Sequence, residues 1–114
     1  MILHIAYYLV TSFLLTYALW LFYIAVMNLK RVRDEGKLSQ FAAVLGYPVL
    51  FIGLVLDLAV NVLVMTPLLM EMPQEMTVTS RLKRHRATSD GWRLSIVMFL
   101  KPILDPFDPS GTHI

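Results

Sequence analysis

The stretch LSQFAAVLGYPVLFIGLVLDLAVNVLVMTPLLM, residues 38–70, contains a single charged side chain, that of Asp57. A helix needs about 20 apolar residues to cross the roughly 30 Å hydrocarbon core of a bilayer, and this stretch is 33 residues long. Pro48 and Pro67 bracket about one bilayer thickness within it. Proline suits the first turn of a helix and kinks or ends a helix further along. The stretch therefore predicts a membrane-spanning helix.

The carboxylate of Asp57 does not prevent this helix from inserting. A central Asp costs about 2.5–3.5 kcal/mol on an insertion scale. Residues 49–69 include 14 Leu, Ile, Val or Phe side chains, which together return about 4–8 kcal/mol at about 0.3–0.6 kcal/mol each. Insertion is therefore favoured, and the cost of Asp57 calls for a structural or functional explanation.

A second apolar stretch lies at the start of the chain, where residues 1–29 contain no Lys, Arg, Asp or Glu. No basic segment precedes it and its apolar run is too long for a signal peptide, so we interpret Ile2 to Met27 as a spanning helix. Aromatic side chains cluster near its two ends, as they do at membrane interfaces. The predicted interfacial anchors are Tyr7, Tyr8, Trp20, Tyr23 and, further along, Trp92.

The composition excludes several classes of protein. Hydrophobic residues make up 57% of the 114-residue chain and charged residues 16%, against roughly 45–50% and 25% in soluble domains. This balance excludes a disordered chain and an ordinary soluble enzyme. The absence of cysteine excludes a disulfide scaffold and a thiolate metal site. The alternative of two buried helices in a soluble bundle requires neighbours on every side, and only 44 residues follow Met70 to supply them.

The charges divide the chain into segments, because six of them lie between Lys30 and Lys37. We predict an all-α integral membrane protein, a two-span transmembrane helical hairpin with C-terminal interfacial amphipathic helices. Lys and Arg favour the cytoplasmic side, and their distribution favours both termini inside, with dual topology allowed. The predicted segments are a first span at 1–29, a basic loop at 30–40, a second span at 41–70, membrane-surface helices at 71–104 and an Asp-Pro tail at 105–114.

Small and polar residues share one face of the second span. At 100° per residue, Gly46, Gly53, Asp57 and Asn61 align. Such a stripe is typical of helix–helix contacts, where small residues allow close approach and polar groups bond across the contact. Ser12 and Thr16 of the first span are the predicted partner face. Two other interpretations remain open, namely a polar lining of an ion or water path and a proton relay.

The region after residue 70 predicts helices at the membrane surface. Glu71 to Glu75, with an early proline and two acids, is typical of a helix start. A basic cluster then predicts contact with lipid headgroups, including anionic lipids. The alternative is a solvated helix end whose cations favour the helix dipole. The basic cluster consists of Arg81, Lys83, Arg84 and Arg86.

No catalytic arrangement is recognisable in the sequence, and we predict no cofactor and no small-molecule substrate. Asp105, Asp108 and His113 lack the spacing of a metal site, and a net charge of +2 is a poor basis for nucleic-acid binding. We therefore expect a non-enzymatic membrane effector or anchor that forms a homo-oligomer or binds a membrane-protein partner. A holin-like lesion former and an accessory subunit of a membrane complex are the alternatives.

Three segments carry a resemblance to a known group of proteins. MNLKRVRD at 27–34, LGYPVLFIG at 45–53 and the ending LDPFDPSG at 104–111 resemble small membrane proteins of tailed bacteriophages and prophages of Gram-negative bacteria. The ending is the most specific of the three. The resemblance implies a bacterial source and the inner membrane as the compartment, but neither a mechanism nor functional residues.

Overall fold

The computed structural model describes residues 1–114 and is entirely helical. Two segments, Ile2–Asp34 and Gln40–Leu69, are long and apolar enough to cross a membrane. The sequence prediction of an all-α fold with two long apolar helices is thus confirmed. The helices are α1 (Ile2–Asp34), α2 (Gln40–Val60), a π-helical turn (Asn61–Met65), α3 (Thr66–Leu69), α4 (Val78–Thr88), α5 (Gly91–Leu104) and a 3₁₀ turn (Asp105–Phe107).

The loop between the long helices is closed at both sides by local hydrogen bonds. Gly36 has a φ of 71°, a left-handed conformation that glycine adopts without steric cost. α1 ends shortly before this glycine, and the residue after the glycine, Lys37, donates its amide to the Val32 carbonyl at 3.0 Å. The Ser39 hydroxyl then accepts from the Ala42 amide at 3.2 Å and caps α2.

Of the two prolines of α2 and α3, Pro48 is used differently from the sequence prediction, whereas Pro67 lies two residues before the helix ends at Leu69. Pro48, predicted in the first turn, lies inside α2 because the Ser39 cap starts the helix at Gln40. Pro67 follows the π-helical turn and lies in the first turn of α3. A turn with a wider hydrogen-bond spacing adapts the helix to the missing N–H of a proline.

α1 and α2 run antiparallel and in close contact. The hydroxyl of Tyr8, near the start of α1, donates to the carbonyl of Leu63, whereas Leu29, near the end of α1, packs on Gly46. A Cβ at Gly46 would lie 3.1 Å from a Leu29 methyl carbon, and one at Gly53 would lie 3.7 Å from Phe22. These glycines therefore let α1 approach α2 closely.

α4 and α5 pack back against the side of the long pair. Arg93 near the start of α5 donates to the Leu69 carbonyl at 3.0 Å, and the Tyr23 hydroxyl donates to the carbonyl of Leu104 at its end. The buried core lies between α2, α3, α4 and α5 and includes no residue of α1. Its members are Val60, Met65, Leu69, Leu82, Val97 and Ile114.

The segment predicted to start a helix at Glu71 is an extended connection instead. α3 ends at Met70, which adopts a left-handed φ of 52°, and α4 begins only after Thr77. The Thr77 side chain accepts from the Ser80 amide at 3.2 Å, which provides the cap of α4. Residues 71–77 are therefore not helical and pack next to the start of α4. This places Glu71 and Glu75 beside α4.

Candidate functional site: a buried polar network

The centre of the network is the guanidinium of Arg81, which is fully buried. Its Nη1 donates to the Asn61 carbonyl at 2.8 Å and its Nη2 to the Glu71 carbonyl at 2.6 Å. Its Nε donates to Glu71 Oε1 at 3.2 Å. Arginine offers five N–H donors in a fixed fork, so this one side chain ties α4 to the π-helical turn and to the segment after α3.

The Glu71 carboxylate collects three basic side chains. Besides Arg81, Arg84 Nη2 donates to Oε1 at 2.6 Å, and His85 Nε2 lies 2.6 Å from the same oxygen. Desolvation by itself raises the pKa of Glu71, but the hydrogen bonds from Arg84, His85 and Arg81 outweigh it and lower the pKa to about 2. The carboxylate therefore stays ionised across the physiological range, as a buried cation requires.

The two polar residues of the α2 stripe also face this region. Asp57 Oδ1 accepts from the Val78 amide at 2.7 Å, so a carboxylate lies at the N-terminus of α4, where the helix dipole favours negative charge. Asn61 is fully buried and its Nδ2 donates to the Glu75 carbonyl at 2.6 Å. The stripe is therefore in contact with the α4 region of the same chain.

Ser12 and Thr16, the predicted partner face, lie on α1, and Thr16 lines one cavity together with Asp57. The Thr16 hydroxyl donates to the Ser12 carbonyl of its own helix at 2.7 Å. A threonine hydroxyl can bond in this way to the backbone carbonyl one turn earlier in its own helix. Asp57 and Asn61 find their partners in the segment 75–78 instead, since backbone donors and acceptors are free there.

The four residues of the basic cluster are divided between internal pairs and the surface. Arg81 is buried, and Arg84 donates to Glu75 Oε2 at 2.8 Å. Hydrogen bonds with Glu75 and Glu71 raise the pKa of Arg84 above its ordinary value. Arg86 donates to the Ile114 backbone oxygen at 2.8 Å. Lys83 has no protein partner within hydrogen-bond or ion-pair distance and is exposed, so it is the member best placed to reach a headgroup.

The tail at 105–114 is folded onto the helices. Asp105 Oδ1 accepts from the amides of His113 and Ile114 at 2.6 and 3.0 Å, while Lys101 lies 2.5 Å from Oδ2. Desolvation raises the pKa of Asp105, but the bonds from Lys101 and the two amides outweigh it and lower the pKa to about 2. The tail is thus a closed turn with Ile114 buried at its end.

Asp108 joins this tail to α1 through an ion pair. Its Oδ1 lies 3.2 Å from Lys30 Nζ, and its Oδ2 lies 2.9 Å from His113 Nδ1. Desolvation raises the pKa of Asp108, but bonds from His113, Ser110 and Lys30 lower it well below its ordinary value. The carboxylates of the tail are engaged by cations and amides, and no three acidic or histidine side chains converge as metal ligands would.

The predicted interfacial aromatics fall into two groups. Trp20 meets Phe107 edge-to-face with ring centres 5.3 Å apart, and Tyr23 lies 4.7 Å from the His113 ring. Trp92 and Tyr7 are exposed, whereas the Tyr8 hydroxyl bonds to the Leu63 carbonyl of the π-helical turn. Trp20 and Tyr23 therefore anchor the tail to α1.

A cavity of about 240 Å³ lies between the long pair, α4, α5 and the tail. Its walls are mostly apolar, and the ionisable groups among them belong to Tyr23, Asp57 and His113. His113 Nε2 lies 2.7 Å from the Thr79 hydroxyl, so both ring nitrogens are engaged. His113 thus connects the Thr79 hydroxyl to the Asp108 carboxylate.

Comparison of the chain with protein-family models, with curated proteins and with solved structures finds no match. The internal contacts described above are therefore the basis of the functional argument.

Sequence reasoning missed Glu71, Glu75 and His85 as members of the network. A signal was present in the charges, since two acids precede the basic residues of α4 by about ten positions. That spacing is too long for pairs on one helix, which form at i,i+3 or i,i+4. Only a reversal of the chain between the acids and α4 brings them together.

Proposed function

We propose that this chain is a small, non-enzymatic inner-membrane protein of a Gram-negative bacterium, encoded by a phage or prophage. In this proposal α1 and the α2–α3 segment cross the bilayer, and the C-terminal region forms a rigid unit that binds a membrane-protein partner or a second copy. The length and apolar composition of the two segments support membrane insertion. The resemblance of its three segments to small phage proteins supports the source.

One observation favours a binding protein over a lesion former. Asp57 and Asn61, the polar side chains of the second span, are bonded to the α4 region of their own chain. No buried side-chain nitrogen or oxygen in the protein lacks a hydrogen-bond partner. A lesion former needs polar groups that face water in the open state, whereas this stripe is used to hold the C-terminal unit in place.

Expression in a Gram-negative host tests this choice. We expect no timed loss of membrane potential, measured with a potential-sensitive dye, when the chain is expressed alone beside a known holin as positive control. The Asp57→Asn variant should behave in the same way, because its polar group faces α4. Abrupt depolarisation by the wild-type chain, altered in timing by Asp57→Asn, would instead support the holin-like alternative.

Cross-linking distinguishes the two kinds of partner. The chain has no cysteine, so a single Met76→Cys variant reports contacts of the face of the C-terminal region that carries Met76, which is 71% exposed. A cross-linked dimer would identify a second copy as the partner. A product of a different mass, formed only in cells that carry the phage genes, would identify a membrane-protein partner. A product of neither kind would contradict binding through this face.

A further inference from the structure

Part of the apolar surface of α5 lies on the outside of the protein, whereas its Val97 is buried in the core. Phe99 is 70% exposed, Met98 50% and Ile103 39%. These residues lie within 1½ turns of one another along the helix and form one outward face. Such a face on a helix that bordered water would be an aggregation hazard or a binding surface.

The two charged residues of α5 are bonded to other parts of the protein, whereas Asp90, just before the helix, is exposed. Arg93 donates to the Leu69 carbonyl at 3.0 Å, and Lys101 donates to Asp105 at 2.5 Å and to the Ile114 backbone oxygen at 2.8 Å. The Asp108 side chain is only 5% exposed. Helices of soluble proteins place charged residues outside and apolar residues inside. On α5 both cations are bonded to the protein while Met98, Phe99 and Ile103 are exposed, a pattern that suits a helix in contact with lipid.

α5 also lies at the level of the long apolar helices and not beyond their ends. It starts beside Leu69, the end of the second long segment, and its last residue, Leu104, is bonded to Tyr23 of α1. Residues 1–29 of α1 are free of Lys, Arg, Asp and Glu. At 1.5 Å per residue, the 14 residues of α5 extend about 21 Å, which is most of a hydrocarbon core but less than all of it.

We infer that α5 is embedded in the bilayer beside the two long helices, with Met98, Phe99 and Ile103 in contact with lipid acyl chains. This inference rests on the proposed membrane insertion of α1 and α2–α3. The sequence alone predicts α5 as a helix at the membrane surface. Lipid is favoured over a protein partner because the outer surface of α1 is apolar in the same way, with Phe13 68% exposed, and both surfaces belong to one apolar exterior.

Nitroxide labels on single cysteines test the inference in the full-length protein reconstituted in phospholipid vesicles. Phe99→Cys probes α5, Phe13→Cys probes the first long helix, and Lys37→Cys in the exposed loop is the water reference. Collisions with oxygen report lipid and collisions with a water-soluble nickel chelate report solvent. We expect the ratio of oxygen to nickel collisions at positions 99 and 13 to exceed that at position 37 severalfold.

Each other pattern contradicts a specific part of the inference. High nickel accessibility at position 99 with a lipid signal at position 13 would overturn the embedding of α5 and leave the proposed function standing. Low accessibility to both reagents at position 99 would indicate a protein–protein contact and overturn the lipid assignment. A nickel signal at position 13 would overturn membrane insertion itself, and the inference with it. Met98→Cys provides a second probe if Phe99→Cys does not fold.

Discussion

At the scale of single residues, Asp57 illustrates how a costly group in an apolar helix is used. Its Oδ1 accepts a hydrogen bond from the Val78 amide, the first N–H of α4. A helix N-terminus carries partial positive charge and unpaired amides, so a carboxylate there satisfies both partners. The side chain therefore fixes where α4 starts against the long pair.

Replacing Asp57 by Asn and by Leu should have unequal effects. The Asn oxygen still accepts from Val78, so we expect a loss below about 1 kcal/mol in the free energy of unfolding. Leu leaves the Val78 amide without an acceptor, which costs about 1–3 kcal/mol. Denaturation in detergent, followed by circular dichroism, measures both, and Asp34→Leu at the exposed end of α1 is the matched control. Equal losses for Asn and Leu would contradict the capping role.

Arg81 should be the most sensitive residue of α4. Removing one partner of a buried ion pair costs about 3–5 kcal/mol, because the remaining charges and carbonyls stay buried. We therefore expect Arg81→Met to destabilise the protein by this amount, and Lys83→Met, an exposed cation on the same helix, by less than about 0.5 kcal/mol. The same denaturation assay applies.

The pairing of Arg81 with Glu71 can be isolated by a double variant. The double variant Glu71→Gln/Arg81→Met should lose less free energy of unfolding than the two single variants lose together. The reason is that each single change already removes the same interaction. Full additivity would show that the two residues are energetically independent, contrary to the 3.2 Å contact between them.

At the scale of elements, the tail is held to the helices by carboxylates whose state depends on pH. A carboxylate whose pKa is lower in the folded state stabilises that state above its unfolded pKa and loses the contribution as the pH falls through its folded pKa. For Asp105 these values are the ordinary 3.8 and about 2, and Asp108 is shifted in the same direction. The tail should therefore remain docked at neutral pH and detach in acid.

Acid titration tests this expectation. In a Trp92→Phe background, the fluorescence of Trp20 reports its contact with Phe107. We expect the signal to change between about pH 4 and pH 2, the window between the free and docked pKa values of Asp105. Asp108→Asn, which loses the ion pair with Lys30, should shift the transition to higher pH. A transition near pH 6, or none, would contradict the role of the carboxylates.

At the scale of the whole molecule, the apolar exterior decides how the protein is handled. α1 contains no buried residue, so its long apolar surface needs lipid or detergent around it. We expect the protein to stay in the membrane pellet after carbonate and high-salt washes, which release proteins held by charge alone. Immunoblots of pellet and supernatant measure this, and recovery in the supernatant without detergent would contradict membrane insertion.

The sequence by itself determined the elements that depend on local composition. The long uncharged runs specify two apolar helices, because length and hydropathy are properties of consecutive residues. The glycines at 46 and 53 were placed on one face by helical periodicity alone, and both do contact α1. The predicted start of α4 was wrong. Both Thr77 and the acidic stretch at Glu71 resemble a helix start in the sequence, and only the packing of residues 71–77 decides between them.

Only the tertiary structure decided which polar groups meet. Arg81 is separated from Asn61 by 20 residues and from Glu71 by 10, and no periodicity relates positions across a chain reversal. A basic cluster followed by an apolar helix has the same pattern whether it lies on a membrane or folds back onto its own chain. Buried charges require partners, and the folded-back arrangement provides them. Arg81 bonds to Glu71 and to the Asn61 carbonyl. The Asn61 amide bonds to the Glu75 carbonyl, and Asp57 accepts from the Val78 amide at the start of α4.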